Sequence, residues 1–474
     1  MEIIEAKALE LHRDYCDGKV SMVEIVDAYL KQIDAREGEI NAFITLMAEE
    51  AKEAAALLDQ KREKSPEKLG ALAGVVLSIK DNIAVKGVKM TCASRMLEDF
   101  VPPYEATIIE KLLAEDAIII GKVNMDEFAM GGSTRTSYFG TTFNPLDTQR
   151  VSGGSSGGSA ASVAAHFCTA SIGTDTGGSV RQPAAFCGVV GVKPTFGSIS
   201  RYGVNSMANT FDQVGVLAQD VADAHYILKV LAGADERDAT AVGNEGLQGP
   251  LEERALSGLK IAIPQLFETF PMEAAIKKGI EEVVDKLTAQ GATVDLVPFD
   301  YLDKAVAMYH IIVNGELAPN MSRFDGVRFG HRSEHQDSLE ELYAHSRAEG
   351  FGDEVKRRIM IGTHIMSMDH AKDYYVKALE LRHSLQGELE RVFEDYDLIL
   401  SPTSPNFPFL AEEELSPVTV YVGDTFTVPV NLAGTCAISI PHATESLPMG
   451  IQLVGQRFKD HELLSVARGL EELL

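Results

Sequence analysis

A layered, largely parallel α/β fold is what this sequence predicts, on three observations. Short β-branched runs alternate with stretches of helical period, the pattern of strands covered by helices. The chain has 474 residues, 45% of them hydrophobic and 24% charged, which is enough for a large core in a soluble globular protein. No Gly/Pro-rich linker and no repeat divides it, so residues 1–474 are expected to form a single domain. Within it, residues 1–66 make an N-terminal helical layer, 70–215 the part that carries the chemistry, and 216–474 the rest of the sheet with further helices.

The elements follow in chain order. Up to about residue 65 the period is helical. Ser21 and Glu24 have capping-box spacing, and Val23, Ile25, Val26, Tyr29, Leu30 and Ile33 form one stripe. An alanine-rich helix spans 48–64, and 63–68, around Pro66, is a connector. This layer packs on the core; a partner-binding face is the alternative. Residues 72–83, LAGVVLSIKDNI, read as a strand with Val75, Leu77 and Ile79 on one face. Lys80 falls on the other face at the strand's end, where sites of open α/β sheets form. Most lysines are solvated, but one drawn into an apolar interior loses stability as ammonium and becomes a usable base. Next come a helix at 107–114, a strand at 117–121, and polar loops at 124–137 and 144–150. A small-residue helix at 160–165 leads to a buried strand at 167–172. Beyond Lys193-Pro194 the helices are 221–232, 274–290, 303–322, 339–348 and 371–393. Strands are expected at 260–263, 293–297, 398–400, 437–440 and 450–454.

Composition excludes several functions. A net charge of −27 argues against a bare nucleic-acid binder, because phosphate contact needs a cationic surface. The five cysteines are scattered without C-x-x-C, reading as reduced thiols rather than a disulfide frame. The N-terminal residues lack a signal-peptide pattern, and no apolar run approaches the ~20 residues that cross a bilayer. A cytoplasmic location is expected.

The chemistry concentrates in residues 150–184, RVSGGSSGGSAASVAAHFCTASIGTDTGGSVRQPA. A phosphate loop is poorly supported, because Ser159 rather than lysine follows Gly153 to Gly158. A nucleophile elbow is present as letters, Gly154-Ser155-Ser156-Gly157-Gly158, but residues 144–150 before it are no strand. Metal ligation is not expected, since the twelve histidines show no H-E-x-x-H spacing. The third option joins a lysine base to two serines. Neutral Lys80 takes a proton from Ser155, which takes one from Ser179, leaving that hydroxyl nucleophilic. Backbone N–H groups of Thr176, Gly177 and Gly178 could face the developing oxyanion, each worth about 3 kcal/mol in studied hydrolases.

These residues carry a resemblance. Lys80, the run Gly153 to Ser159 and the run Gly173 to Arg181 resemble the amidase signature family, with the family's spacings of 75 and 24 residues between Lys80, Ser155 and Ser179. The resemblance implies a central mixed, twisted β-sheet covered by helices on both faces. It implies Ser179 as acyl-forming nucleophile, Ser155 as bridging serine in cis geometry, and Lys80 as base. Within the family the likeness is to the A subunits of glutamine-dependent glutamyl-tRNA(Gln)/aspartyl-tRNA(Asn) amidotransferases. It shows in Lys122 to Gly131, Arg181 to Gly188, Ser200-Arg201-Tyr202-Gly203, Ser322 to Gly326, Glu354 to Ile359 and Val428 to Gly434.

In such proteins residues matching Tyr309, Arg358 and Asp424 hold glutamine, the arginine on the α-carboxylate and the aspartate on the α-ammonium. The implied reaction releases ammonia from glutamine and then hydrolyses the glutamyl ester. Ammonia would pass to a B subunit that uses ATP and Mg²⁺ and binds tRNA, while a small C subunit wraps the chain that carries the serines. No cofactor and no metal is expected in this chain, and no direct contact with nucleic acid or membrane. The alternative is a stand-alone amidase acting on a small primary amide. The chain departs from the usual pattern of the A subunits around Arg135, Val216, Thr435 and His442, changes expected to line the pocket and the partner-facing side.

Overall fold

A computed structural model describes residues 2–474. Thirteen strands occur along the described chain: β1 (Phe43–Leu46), β2 (Val76–Lys80), β3 (Ile118–Val123), β4 (Phe143–Asn144), β5 (Asp147–Val151), β6 (Ala170–Asp175), β7 (Val190–Lys193), β8 (Gln213–Ala218), β9 (Lys260–Pro264), β10 (Thr293–Val297), β11 (Leu398–Pro402), β12 (Cys436–His442) and β13 (Met449–Gly455). Eleven form one sheet in the order β1-β3-β2-β6-β8-β7-β12-β13-β11-β9-β10, and β4 and β5 make a separate pair.

The sheet is mixed, which corrects the largely parallel reading of the alternating pattern. Four pairings are parallel, β2 with β3 and β6, and β9 with β10 and β11. The other six are antiparallel. Parallel neighbours need a crossover, and the helices Thr107–Ala114 and Ala274–Ala289 supply it between β2 and β3 and between β9 and β10. In the middle of the sheet β12 returns directly into β13, and no helix separates β7 from β8. Helical alternation was therefore informative only toward the sheet's two ends.

Successive side chains of a strand face opposite sides, and the core divides accordingly. Leu77, Ile79, Ile119, Ile172 and Val216 belong to one buried cluster, and Val76, Ile118, Ile120 and Leu217 to the other. The second is covered by helices Met22–Ile40, Ala48–Lys64 and Gly157–Ala164. The first is covered by Thr107–Ala114, Val221–Leu231, Ala274–Ala289 and Ala305–Met321. Lys80 shares the face of Val76, toward Gly157–Ala164, as the alternation required.

The Ser21 box is formed, with Glu24 N donating to Ser21 Oγ at 3.1 Å and Ser21 N to Glu24 Oε2 at 2.8 Å. The helical layer is interrupted by β1, a short half-buried edge strand whose four residues give no period. The loop expected at 144–150 contains the β4–β5 pair. Helices Arg181–Cys187, Asp353–Ile365, Val428–Ala433 and Asp460–Leu473 add to those expected. Among the described residues, no helix is long and apolar enough to cross a membrane.

Candidate active site

The end of β2, the turn into helix Gly157–Ala164 and the segment after β6 converge at one buried point. Lys80 and Ser155 are fully buried, and Ser179 is 9% exposed. Lys80 Nζ lies 2.8 Å from Ser155 Oγ, 2.8 Å from Ser156 Oγ and 3.3 Å from the Thr174 carbonyl oxygen. Burial pushes its pKa down to about 7, against the pull of Asp126, Asp175 and Asp212. The Gly154–Ser155 peptide is cis. Gly154 is required there, because a Cβ would collide with Asp126 Oδ2 and approach Ser133 N to 2.7 Å.

Counting donors assigns the protons. A neutral amine has two N–H groups and one lone pair. Thr174 O can only accept. Ser156 Oγ directs its own proton to Thr174 O at 3.1 Å, so it accepts from Lys80. Ser155 is then the partner left to donate into the lone pair. Ser156 was not among the expected site residues. Its only mark in the sequence was its place beside Ser155 in the Gly/Ser run.

Ser179 is brought beside this pair, its carbonyl oxygen accepting from Ser156 N at 3.1 Å. The segment before it hangs on Asp175, whose Oδ1 accepts from Gly178 N at 2.9 Å, Asn431 Nδ2 at 2.9 Å and Arg181 Nη2 at 3.0 Å. Asp175 Oδ2 accepts from Val180 N and Arg181 Nε, each at 3.1 Å. Burial works against this carboxylate, but Arg181 outweighs it and holds the pKa well below the usual range. Arg181, itself fully buried, also reaches Asn431 Oδ1 at 2.5 Å and Gln452 Oε1 at 2.7 Å. Gly178 N–H is thus engaged by Asp175 rather than open to an oxyanion. The N–H groups of Thr176, Gly177 and Ser179 carry no hydrogen bond within the described chain.

The three expected pocket residues come from separate elements and meet at this point. Tyr309, on helix Ala305–Met321, lies against the loop that carries Ser179: a Cβ at Gly177 would stand 2.6 Å from its ring carbon Cζ. Its phenol is raised by burial and feels the charges of both Arg358 and Asp424. Arg358, on helix Asp353–Ile365, is 4% exposed and donates Nε–H to Glu354 Oε1 at 2.7 Å. Tyr421 donates to the same oxygen at 2.5 Å, with its ring centroid 5.3 Å from the Arg358 guanidinium carbon. Both Nη groups of Arg358 make no hydrogen bond within the described chain, so a planar pair of donors is open.

Asp424 follows helix Pro417–Val422 and is tied to the loop through Thr427, whose Oγ1 reaches Gly177 O at 2.7 Å and Asp424 O at 3.1 Å. Burial pushes its carboxyl up to about 7, against the pull of Arg358. A cavity of about 260 Å³ opens beside Asp424, with Gly132 and Gln182 on its wall. Gln182 Oε1 accepts from Gly154 N at 3.0 Å, joining that wall to the serine turn.

Of the departures expected to line the pocket, Arg135 reaches the cavity wall, donating to the carbonyl of Glu413. The others are corrected. Val216 is buried in the core within β8, and Thr435 is buried with its carbonyl accepting from Lys193. His442 ends β12, buried with its Nε2 3.7 Å from Glu282 Oε2 on helix Ala274–Ala289.

A profile of the amidase family matches residues 24–464. The chain is 46% identical over 477 residues to the second glutamyl-tRNA(Gln) amidotransferase A subunit of Clostridium acetobutylicum, covering 100% of both proteins. It is 44% identical to the corresponding A subunit of Alkaliphilus metalliredigens, over 100% of this chain and 97% of that one. Among solved structures, the glutamyl-tRNA(Gln) amidotransferase A subunit from Thermotoga maritima superposes with a TM-score of 0.83 at 37% identity, covering 100% of this chain and 95% of that one. A bacterial aryl acylamidase of the amidase signature type gives a TM-score of 0.86 at 25% identity, covering 99% and 96%.

Proposed function

The chain belongs to the amidase family, enzymes that hydrolyse C–N bonds, and from that premise we propose that it deamidates glutamine to supply ammonia to a tRNA-dependent amidotransferase. The observation that carries the reading is a fully buried Lys80, with a pKa near 7, held by three partners of which Ser155 alone is free to donate to it. A base poised near the working pH is what general-base catalysis needs. In the first step Ser179 Oγ bonds to the side-chain amide carbon. Its proton passes to Ser155 Oγ, and the Ser155 proton to Lys80 Nζ. The oxyanion is held by the open N–H groups of Thr176, Gly177 and Ser179, each contributing about 3 kcal/mol. Collapse breaks the C–N bond, and the proton returns through Ser155 to the leaving nitrogen, releasing ammonia. Water then attacks the Ser179 ester by the same relay, giving glutamate and restoring the hydroxyl.

Glutamine is favoured by charge. The open Nη pair of Arg358 suits an α-carboxylate, and the Asp424 carboxylate, without a side-chain partner, suits an α-ammonium. The relatives named as amidotransferase A subunits, matching end to end, support the larger assignment. On it, ammonia passes to a B subunit that binds tRNA with ATP and Mg²⁺, a C subunit completes the assembly, and this chain carries no cofactor. A net charge of −27 agrees with leaving tRNA to a partner.

The second reading, a stand-alone amidase on a small primary amide, is favoured by the backbone, which superposes on the acylamidase as well as on the Thermotoga maritima protein. Ammonia release by the isolated chain from glutamine and from simple amides, with and without added B and C subunits and Glu-tRNA(Gln), separates the two. Ser179→Ala should lower release from glutamine about 10⁴-fold or more. Wild-type release from the Ser179→Ala protein would remove both readings. Preference for simple amides with no response to the added B and C chains would leave the second.

A further inference from the structure

Away from the active site, a loop and a helix bring together a set of side chains with no part in amide hydrolysis. His345 and Glu349 stand one turn apart on helix Leu339–Gly350, the i, i+4 spacing that places two side chains on one face. The preceding loop lays His335 over them. The ligating atoms of His335, His345 and Glu349 all lie within 4.8 Å of one another. The two imidazole rings are 4.6 Å apart at 35° between planes.

The loop is anchored for this arrangement. Ser333 N donates to Ser346 Oγ at 3.0 Å, and His331 N donates to Met96 O at 2.7 Å. Ser333 Oγ donates to Glu349 Oε1 at 2.6 Å, and His331 Nε2 lies 2.8 Å from Glu349 Oε2. A carboxylate only accepts, so His331 Nε2 carries the proton, and each oxygen of Glu349 accepts one hydrogen bond and keeps a further lone pair. Ligand carboxylates and imidazoles in metal sites are oriented by such outer partners.

We propose that His335, His345 and Glu349 bind a divalent transition metal ion, Zn²⁺ in first place, with His331 and Ser333 orienting Glu349. Two imidazoles and one carboxylate suit Zn²⁺, Co²⁺ or Ni²⁺, whereas Mg²⁺ and Ca²⁺ take sets of oxygens. Tetrahedral bonds of about 2.0–2.2 Å put ligand atoms roughly 3.4 Å apart, so rotation of the exposed His335 and His345 side chains is enough to close the set. Water completes the coordination. The ion joins the loop to the helix that runs through Phe351 and Gly352 into the helix bearing Arg358, and so acts as a clamp.

The test uses the untagged full-length chain, stripped with a chelator and titrated with ZnCl₂ by calorimetry and with Co²⁺ by visible absorption. Binding of one ion per chain is expected, with a visible Co²⁺ band of low-coordinate imidazole ligation. His335→Ala and His345→Ala should each weaken Zn²⁺ binding at least tenfold, and His331→Ala should weaken it less. None of these variants should change ammonia release by the metal-free protein. Absence of stoichiometric binding overturns the proposal. Unchanged binding in His335→Ala and His345→Ala overturns it equally, placing the ion elsewhere, for example at the exposed Cys16 beside His12.

Discussion

Removing one hydroxyl, Ser156→Ala, should move the pH profile of the reaction. In its ammonium form Lys80 has three N–H donors and three acceptors, Ser155 Oγ and Ser156 Oγ at 2.8 Å and Thr174 O at 3.3 Å. Ser156→Ala deletes one of the two short bonds. Its backbone N–H to Ser179 O survives the change, and the hydroxyl makes no helix-cap bond. A hydrogen bond to a charged group contributes about 1.5–3 kcal/mol, and one pKa unit corresponds to 1.36 kcal/mol. The neutral amine also donates to Ser156, a bond of about 0.5–1.5 kcal/mol, so the difference of about 1–1.5 kcal/mol should lower the pKa of Lys80 from about 7 by roughly one unit. Only the neutral amine accepts a proton, so kcat/KM rises with pH through this pKa. The acid limb of the variant should lie about one unit lower. Its plateau should drop about 10- to 100-fold, because the base is weaker and its lone pair no longer aimed. The assay is ammonia release from glutamine between about pH 5 and 9. Asp424, also near 7, titrates in both proteins and cancels in the comparison. Ser156→Thr, which restores a hydroxyl, should return the limb toward wild type. A variant with a lowered plateau and an unmoved acid limb would refute the proton assignment.

Two further outcomes follow from neighbouring groups. Arg358→Ala should raise KM for glutamine about 10- to 100-fold, the value of a charge-assisted bidentate contact, with little change for an amide lacking an α-carboxylate; equal losses on both would remove Arg358 from substrate recognition. Arg181→Met leaves Asp175 charged, buried and short of its cation, so urea unfolding should show a loss of about 3–5 kcal/mol, and a midpoint within error of wild type would contradict the clamp described for the segment that carries Ser179.

What the sequence disclosed depended on whether a residue's role was local. Lys80 was legible because a run of alternating apolar residues ends on it, which fixes both its face and its burial. The direction of neighbouring strands was not legible, since β7 pairs with β12 from far along the chain and with β8 across a helix-free connection, and neither pairing leaves a local period. Ser156 was hidden for the opposite reason: its role depends on which way the turn points a hydroxyl, while its neighbours are serines and glycines alike. Gly178 was expected to offer its N–H, but Asp175, three residues earlier, already holds it. Tyr309, Arg358 and Asp424 came from the family resemblance alone. Each looks like an ordinary helix or loop residue until three separate elements bring the three together. The His345/Glu349 spacing was open to view, but its meaning waited on the loop that carries His335.

The Asp175–Arg181 pair bears on how this protein is made. Lys80, Ser155 and Ser179 all lie in the first two-fifths of the chain, yet Arg181 is seated by Asn431 and Gln452, 250 and 271 residues further on. A ribosome that has translated Lys80, Ser155 and Ser179 has therefore not yet produced the residues that set Asp175 and the N–H groups hung on it. The frame around Asp175 is closed only by residues from the last strand, β13, and from helix Val428–Ala433.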